Sequence, residues 1–346
     1  MLLAHRFAGL QKVPRVELMT GPTPVFRLEH LSARLGNEVW CKRDDRTAVE
    51  YGGNKVRKLE VLLGDACARE ADALVTTGAF GSHHVLATTI FGARYCFEVH
   101  AVMLPQPWTE HVGENLRAGL AMGLHAHPVE SYPMVAARML AVAASLKLSG
   151  KRPLIIGHGG SSSIGTIGYV EAALELVEQI RAGAMPRPDA IYVALGSGGT
   201  AVGLALGLAA AELPIEVRAV RVTDWRIGNR AVLRGLMYRT IRRLRRDDQT
   251  FPDVLRAGMR LLHIDSSQRE GGYGTPNDAG LKAIVIGNED GLVLDPTYTA
   301  KTFAALLDAA PQQQNRRLLY WHTLSSVDLD PLVATAPPLP EWVRRE

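Results

Sequence analysis

The sequence predicts an α/β protein made of two open, parallel-sheet α/β domains, and three observations carry that expectation. Short apolar runs rich in β-branched residues alternate with longer amphipathic stretches along most of the chain. This is the signature of βαβ units whose parallel strands are covered on both faces. Glycine-rich turns follow several of these runs, in Thr77-Gly-Ala-Phe-Gly-Ser82, Gly157-His-Gly-Gly-Ser161 and Gly196-Ser-Gly-Gly-Thr200. Ligands of open α/β sheets sit beyond the carboxyl ends of the strands, where such turns lie. Finally, the 346 residues exceed the roughly 250–300 at which one core stops growing, so two domains or one with a large insertion are expected.

In chain order, the apolar runs place strands at Glu38–Lys42, Ala73–Thr77, Glu98–Leu104, Leu124–Pro128, Pro153–Gly157, Ala190–Leu195, Glu216–Thr223, Leu261–Asp265 and Leu318–His322. Helical periodicity falls between them, over about 54–69, 83–95, 110–122, 133–147, 165–182, 199–211, 227–245, 277–288 and 299–309. No internal repeat is visible, and the short Pro-rich stretch Ala336-Pro-Pro-Leu-Pro340 is the one biased segment.

Composition excludes several classes. An apolar fraction of 47% with 21% charged residues is ordinary for a globular protein. No apolar run approaches the roughly 20 residues of a membrane span, and Met1–Arg6 has neither the charged start nor the apolar stretch of a signal peptide. A cytoplasmic location is therefore expected. Cys41, Cys67 and Cys96 are too few and scattered for a disulfide framework or zinc site, and are read as buried small hydrophobes. The net charge of +4 is mild. The basic run Arg239-Thr-Ile-Arg-Arg-Leu-Arg-Arg246 has helical spacing and no interleaved aromatic residues. It is read as a solvated helix face, with no nucleic-acid partner expected.

Two segments carry chemistry. In Gly196-Ser-Gly-Gly-Thr-Ala-Val-Gly203 a buried strand ends, glycines open the backbone and a helix begins, so free N–H groups and the positive helix end suit an anion. The spacing fits neither the dinucleotide fingerprint nor a nucleotide P-loop. It is either a phosphate cradle of unassigned type or a tight structural turn. In Tyr51-Gly-Gly-Asn-Lys-Val-Arg-Lys-Leu-Glu60, Lys55 opens a predicted helix. The helix dipole repels a cation there and would lower its pKa, as suits an amine that forms a Schiff base. A solvent-exposed lysine is the plain alternative.

Cys41-Lys-Arg-Asp-Asp45 followed by Gly52–Glu60 strongly resembles the D-cysteine desulfhydrase and 1-aminocyclopropane-1-carboxylate (ACC) deaminase family. These are fold-type-II, tryptophan-synthase-β-like enzymes that use pyridoxal 5′-phosphate (PLP). The resemblance continues in order through Gly81-Ser-His-His84, Gly159-Gly-Ser161 with Gly168-Tyr-Val-Glu171, Gly196–Gly203, Gly272-Tyr-Gly-Thr-Pro-Asn277 and Leu294-Asp-Pro-Thr-Tyr-Thr-Ala-Lys301. It implies that Lys55 is the Schiff-base lysine and, once displaced by substrate, the base for the α-proton. Gly196, Ser197, Gly198, Gly199 and Thr200 match the cofactor's phosphate cradle, with Asn54 and His83 also toward the cofactor. Thr299 matches the position facing the pyridine nitrogen, where desulfhydrase-like members carry Thr and ACC deaminases carry Glu; a hydroxyl there would leave the ring nearly neutral. Tyr273 and Tyr298 match two active-site tyrosines, either steering protons or packing beside the cofactor. Ser82 matches the serine that touches substrate. His83, His84 and Tyr273 complete the implied substrate contacts, His84 standing where ACC deaminases carry Gln.

Two departures stand in the matched motifs. The family's Ser-Asn-His is here Ser82-His83-His84, and its His-Thr-Gly-Gly is His322-Thr-Leu-Ser-Ser326. His83 would reach the cofactor only as an N–H donor, or would titrate in the site. No metal is expected, because His83, His84, His158 and His322 do not form a ligand motif. The resemblance implies a large PLP-binding domain over 1–50 and 166–346 and a small domain over 51–165 carrying Lys55, with PLP in the cleft between them and a homodimeric assembly. The implied reaction is α,β-elimination from a small β-substituted amino acid, giving pyruvate and ammonia. D-cysteine leads as substrate, with cysteate and serine-type substrates behind it and ACC less favoured. A PLP-binding protein with altered or no lyase activity is the alternative, and a nucleotide-binding oxidoreductase rests on the Gly196 loop alone.

Overall fold

The computed structural model describes residues 2–269, 272, 274–312 and 315–343. Its strands are β1 (Val25–Arg27), β2 (Glu38–Arg43), β3 (Ala73–Ala79), β4 (Glu98–Leu104), β5 (His125–Pro128), β6 (Pro153–Ile155), β7 (Ala190–Leu195), β8 (Glu216–Arg221), β9 (Leu262–Asp265) and β10 (Arg317–His322). Nine of the ten lie where β-branched apolar runs predict them. Among the described residues, no helix is long and apolar enough to cross a membrane.

Two compact units divide the chain. The first comprises the segment through Val13, Met19–Lys58 and Ser161–Ser326; the second comprises Pro14–Leu18, Leu59–Gly160 and the chain from Val327 onward. The chain passes from one to the other inside the helix Asn54–Ala68. Asn54 and Lys55 therefore fold with the first unit, whereas the expected boundary at residue 51 assigned them to the second. The returning segment beyond Val327 also differs from the expected division.

The first unit holds a six-stranded sheet in the order β1-β2-β10-β7-β8-β9. All neighbours are parallel except β1, which pairs antiparallel with β2 at the edge. That edge strand is too short for its three residues to show an alternation in the sequence. One face, with Tyr320 of β10 on it, packs on Leu292, Phe303, Ala304 and Leu306. The helix Gly199–Ala210 is buried at every position, which its uninterrupted small and apolar sequence requires. Arg230–Asp247 buries Leu233, Leu236, Met237, Ile241 and Leu244 on one side. Arg239, Arg242, Arg245 and Arg246 are exposed and Arg243 pairs with Asp247: a solvated basic face, as the spacing predicts.

The second unit holds a four-stranded parallel sheet in the order β5-β4-β3-β6. Helix Met134–Leu148 covers one face through Val135, Met139, Val142 and Leu146, packed against Ala73, Val75 and Val102. One expectation is corrected: Cys41 is buried, but Cys67 and Cys96 are exposed. Cys67 falls on the outer side of the last turn of its helix, and Cys96 occupies a left-handed turn residue (φ 59°) ahead of β4.

Candidate active site

Lys55 is aimed by backbone before any side chain acts. After β2, a tight turn at Asp44–Arg46 leads into Gly52-Gly53. Gly53 has φ +91°, and a Cβ there would come 2.7 Å from the Thr323 carbonyl oxygen. Its N–H donates to the Asp44 carbonyl (2.8 Å), and Asn54 N–H donates to the Thr323 carbonyl (3.1 Å). Gly52 N–H donates to Ser325 Oγ (2.9 Å). The loop before Lys55 is thus tied to the ends of both β2 and β10. Ser325 is one of the two residues that replace the family's glycines, and here its side chain supplies one of those ties. Leu324, the other, is buried.

Arg57, two residues on, locks the first helical turn. Its guanidinium donates to Asp44 Oδ2 (2.9 Å) and Oδ1 (2.8 Å) and to Glu175 Oε2 (2.8 Å). Asp44 Oδ2 also accepts from Tyr169 Oη (2.5 Å) and Trp321 Nε1 (2.7 Å). Burial works against the Asp44 carboxylate, yet Arg57 outweighs it and holds the group below the usual carboxylate range. Buried charges persist only when paired and hydrogen-bonded in this way.

Burial pulls the Lys55 amine down to about 8, while Asp295 partly opposes the shift. Lys58 is driven well below its ordinary value, first by burial and then by repulsion from Lys55. Its Nζ donates to Ser161 Oγ (3.2 Å), and the same oxygen accepts from Gly199 N–H (2.9 Å) and lies 2.7 Å from Ser197 Oγ. Gly198 caps the helix Gly199–Ala210 with φ +90°. Asn54 Nδ2 donates to Thr200 Oγ1 (3.0 Å). The structure therefore brings Asn54, Lys55 and the Gly196–Thr200 loop into one neighbourhood.

Thr299 is buried at the start of Thr299–Ala309. Its Oγ1 donates to Asp295 Oδ2 (2.5 Å) and accepts from Asp295 N–H (2.7 Å). Asp295 also accepts from the N–H groups of Thr297, Tyr298 and Thr299 at 2.9, 2.7 and 3.0 Å. The hydroxyl proton is therefore committed to the carboxylate, and what Thr299 has left to offer is an acceptor lone pair. The Tyr298 ring lies beside Gly196, 3.5 Å from where a Cβ would stand. His322, at the end of β10, is buried with its ring stacked 5.7 Å from Tyr320, and burial pulls it down to about 4. Tyr273 lies outside the described residues.

The remaining predicted residues belong to the second unit. Ser82 caps the helix His83–Arg94, accepting from Val85 N–H. His83 Nε2 lies 3.0 Å from His111 Nε2, and Asn115 Nδ2 lies 3.5 Å from His83 Nδ1. His84 is buried, with Nε2 2.9 Å from Thr76 Oγ1. Because the Thr76 proton goes to the Ile156 carbonyl, His84 is the donor in that contact.

Sequence reasoning did not single out Arg57, Lys58, Ser161 or Asp295. Lys58 stands one helical turn from Lys55, and Asp295 precedes Thr299 by four residues ahead of a helix. The N-cap position itself is Tyr298, so Asp295 lies ahead of where capping signals are read.

A phosphorylated aldehyde fits these residues. A helix N-terminus with the Lys58 amino group and the Ser161 and Ser197 hydroxyls beside it suits a phosphate dianion, and Lys55 offers an amine of lowered pKa for the aldehyde. The match of the pyridoxal-phosphate dependent enzyme family over residues 16–323 agrees. The chain belongs to that family, in its fold-type-II branch, and is a PLP-dependent enzyme. Among curated relatives it is 34% identical to a D-cysteine desulfhydrase of Salmonella typhi, over 91% of this chain and 94% of that protein. A crystal structure of an ACC deaminase homologue superposes with TM-score 0.79 at 31% identity, covering 95% of this chain and 98% of the other. A processed threonine deaminase isoform from Solanum lycopersicum (TM-score 0.64, 15% identity, covering 96% and 87%) shares the fold.

Proposed function

We propose that the enzyme catalyses α,β-elimination from a small β-substituted amino acid, with D-cysteine as the leading substrate. The observation that carries this reading is Lys55, whose amine is lowered to about 8 at the start of a helix tied into the Gly196–Thr200 neighbourhood. Bound PLP supplies the electron sink that makes the substrate α-proton acidic. Lys58, Ser161, Ser197 and the N-terminus of Gly199–Ala210 would hold its phosphate, and Lys55 its aldehyde carbon. Lys55 Nζ then takes the α-proton, and the bond from the β-carbon to sulfur breaks with its electron pair leaving as thiolate. Water completes the balance, so that D-cysteine and one water give pyruvate, ammonia and hydrogen sulfide. Ser82 and Tyr298 are assigned to substrate contact and proton handling on the strength of the family resemblance, as is Tyr273. The same resemblance implies a homodimer, and a cytoplasmic location is the sequence-based expectation. Thr299 in place of the ACC deaminases' Glu supports elimination over ring opening.

The test supplies D-cysteine, L-cysteine, cysteate and ACC separately to the purified holoenzyme. Pyruvate and sulfide from D-cysteine, without 2-oxobutanoate from ACC, are the expected products. Lys55→Ala should abolish them. A yellow holoenzyme that releases no keto acid from any of the four would overturn the reading in favour of altered chemistry around His83 and Leu324–Ser325.

A further inference from the structure

The second unit carries a histidine cluster that the reaction does not use. Glu98 and His100 alternate along β4, and His125 and His127 alternate along β5; in the parallel pairing His100 stands opposite His125. Residues two apart on a strand share a face, so this register gathers all four side chains on one side of the sheet. His100 and His125 stack with ring centroids 4.6 Å apart, and His100 and His127 with 5.3 Å. Glu98 Oε1 lies 2.8 Å from His100 Nε2 and 3.8 Å from His125 Nε2. One donor atom from each of Glu98, His100 and His125 lies within 4.8 Å of the other two.

We propose that Glu98, His100 and His125 form a binding site for one borderline transition-metal ion of the Zn2+ type, beyond the PLP chemistry. Two imidazoles and a carboxylate are the donor set such ions take, and they discriminate against Mg2+ and Ca2+. Ligand atoms about 2.0–2.1 Å from a tetrahedral zinc are roughly 3.4 Å apart, so Glu98 Oε1 and His100 Nε2, now 2.8 Å apart, separate slightly while His125 Nε2, 3.8 Å from Glu98, moves in. The surroundings resemble an outer shell. His127 Nε2 lies 3.0 Å from His100 Nδ1, able to accept that N–H and fix the ring, the role outer-shell acceptors play for ligating histidines. Lys151 holds the second Glu98 oxygen, leaving Oε1 to the metal. The exposed His125 ring leaves the fourth position to water. The Lys151 ammonium opposes a cation, which moderates the affinity.

Sequence spacing hides this site. Glu98-x-His100 and His125-x-His127 stand 25 or more residues apart in sequence, and the parallel pairing of β4 with β5 brings them together. The expectation of no metal was drawn from His83, His84, His158 and His322, none of which takes part.

Calorimetric titration of the chelator-treated holoenzyme with Zn2+, repeated with Co2+ for its visible absorption, tests the site. One equivalent per chain is expected. His125→Ala, a surface change that leaves turnover intact, should weaken binding at least about tenfold, and His127→Ala by about tenfold through the outer shell. Lys151→Gln should tighten it. His111→Ala, which breaks the separate His83–His111 pair, should leave it unchanged. No uptake by the wild type, equal affinity in His125→Ala, or loss of binding in His111→Ala would each overturn the proposal.

Discussion

A lysine amine attacks an aldehyde only when unprotonated, and at neutral pH an ordinary lysine is free in roughly four molecules in ten thousand. Lys55, lowered to about 8, is free in about one in ten at pH 7. Covalent uptake of added PLP by the cofactor-free chain should accordingly rise with pH around a midpoint near 8, followed by the growth of its visible absorbance. Asp295 raises the Lys55 pKa against the effect of burial, so Asp295→Asn should move the midpoint lower; a midpoint that stays put would show that Asp295 does not act on this amine. The linkage sign is the usual one for a depressed lysine. The unfolded chain holds the proton between about pH 8 and the ordinary lysine value of 10.5, so this group's penalty on the cofactor-free fold is full below 8 and is relieved as pH rises through that window. Thr299 shows what residue identity leaves unstated. The resemblance implies that its hydroxyl faces the ring nitrogen, and the structure adds that the hydroxyl proton goes to Asp295.

At the scale of elements, the helix Asn54–Ala68 gains its N-terminal geometry from tertiary contacts, since Asn54 spends its amide on Thr200 and not on capping. Arg57 is the main anchor. Arg57→Met should destabilise the first unit by about 3–5 kcal/mol, the cost of leaving Asp44 and Glu175 buried without their partner. Denaturant melts would show it; a loss under 1 kcal/mol would mean Lys42 alone suffices for Glu175, which it already meets at 2.5 Å. Much of this scale was readable. Strands β4 and β7 and the helix Thr299–Ala309 have the predicted ends because the apolar runs there stop at Pro105, Gly196 and Pro311. The edge strand β1 and the short helices Glu29–Leu35 and Leu255–Leu261 were not, being too brief for either period to register. The Arg57–Asp44–Glu175 clamp was unreadable for another reason: its members are separated by 13 and 118 residues, and charge in a sequence does not announce whether it is buried.

At the scale of the whole chain, sheet order separates what local pattern could announce from what it could not. Alternation of strands and helices implied two parallel sheets, yet the neighbours of β10 follow from no local pattern. That strand, Arg317–His322, is inserted between β2 and β7, and its far end supplies the Thr323 carbonyl that Gly53 and Asn54 pack on and bond to. The four strands of the second unit, by contrast, all lie within Ala73–Ile155. During synthesis the second sheet can pair as soon as residue 155 has left the ribosome, while β2 must wait for almost the entire chain before its central neighbour exists. Contacts of such long separation are slow to form. Pulse-labelled hydrogen exchange on the refolding chain should therefore protect β3 and β4 before β2 and β7, and simultaneous protection would refute that order. Lys55, with the turn that aims it, is among the last features to be set, so a nascent chain carries its reactive amine unarmed until the final strand arrives.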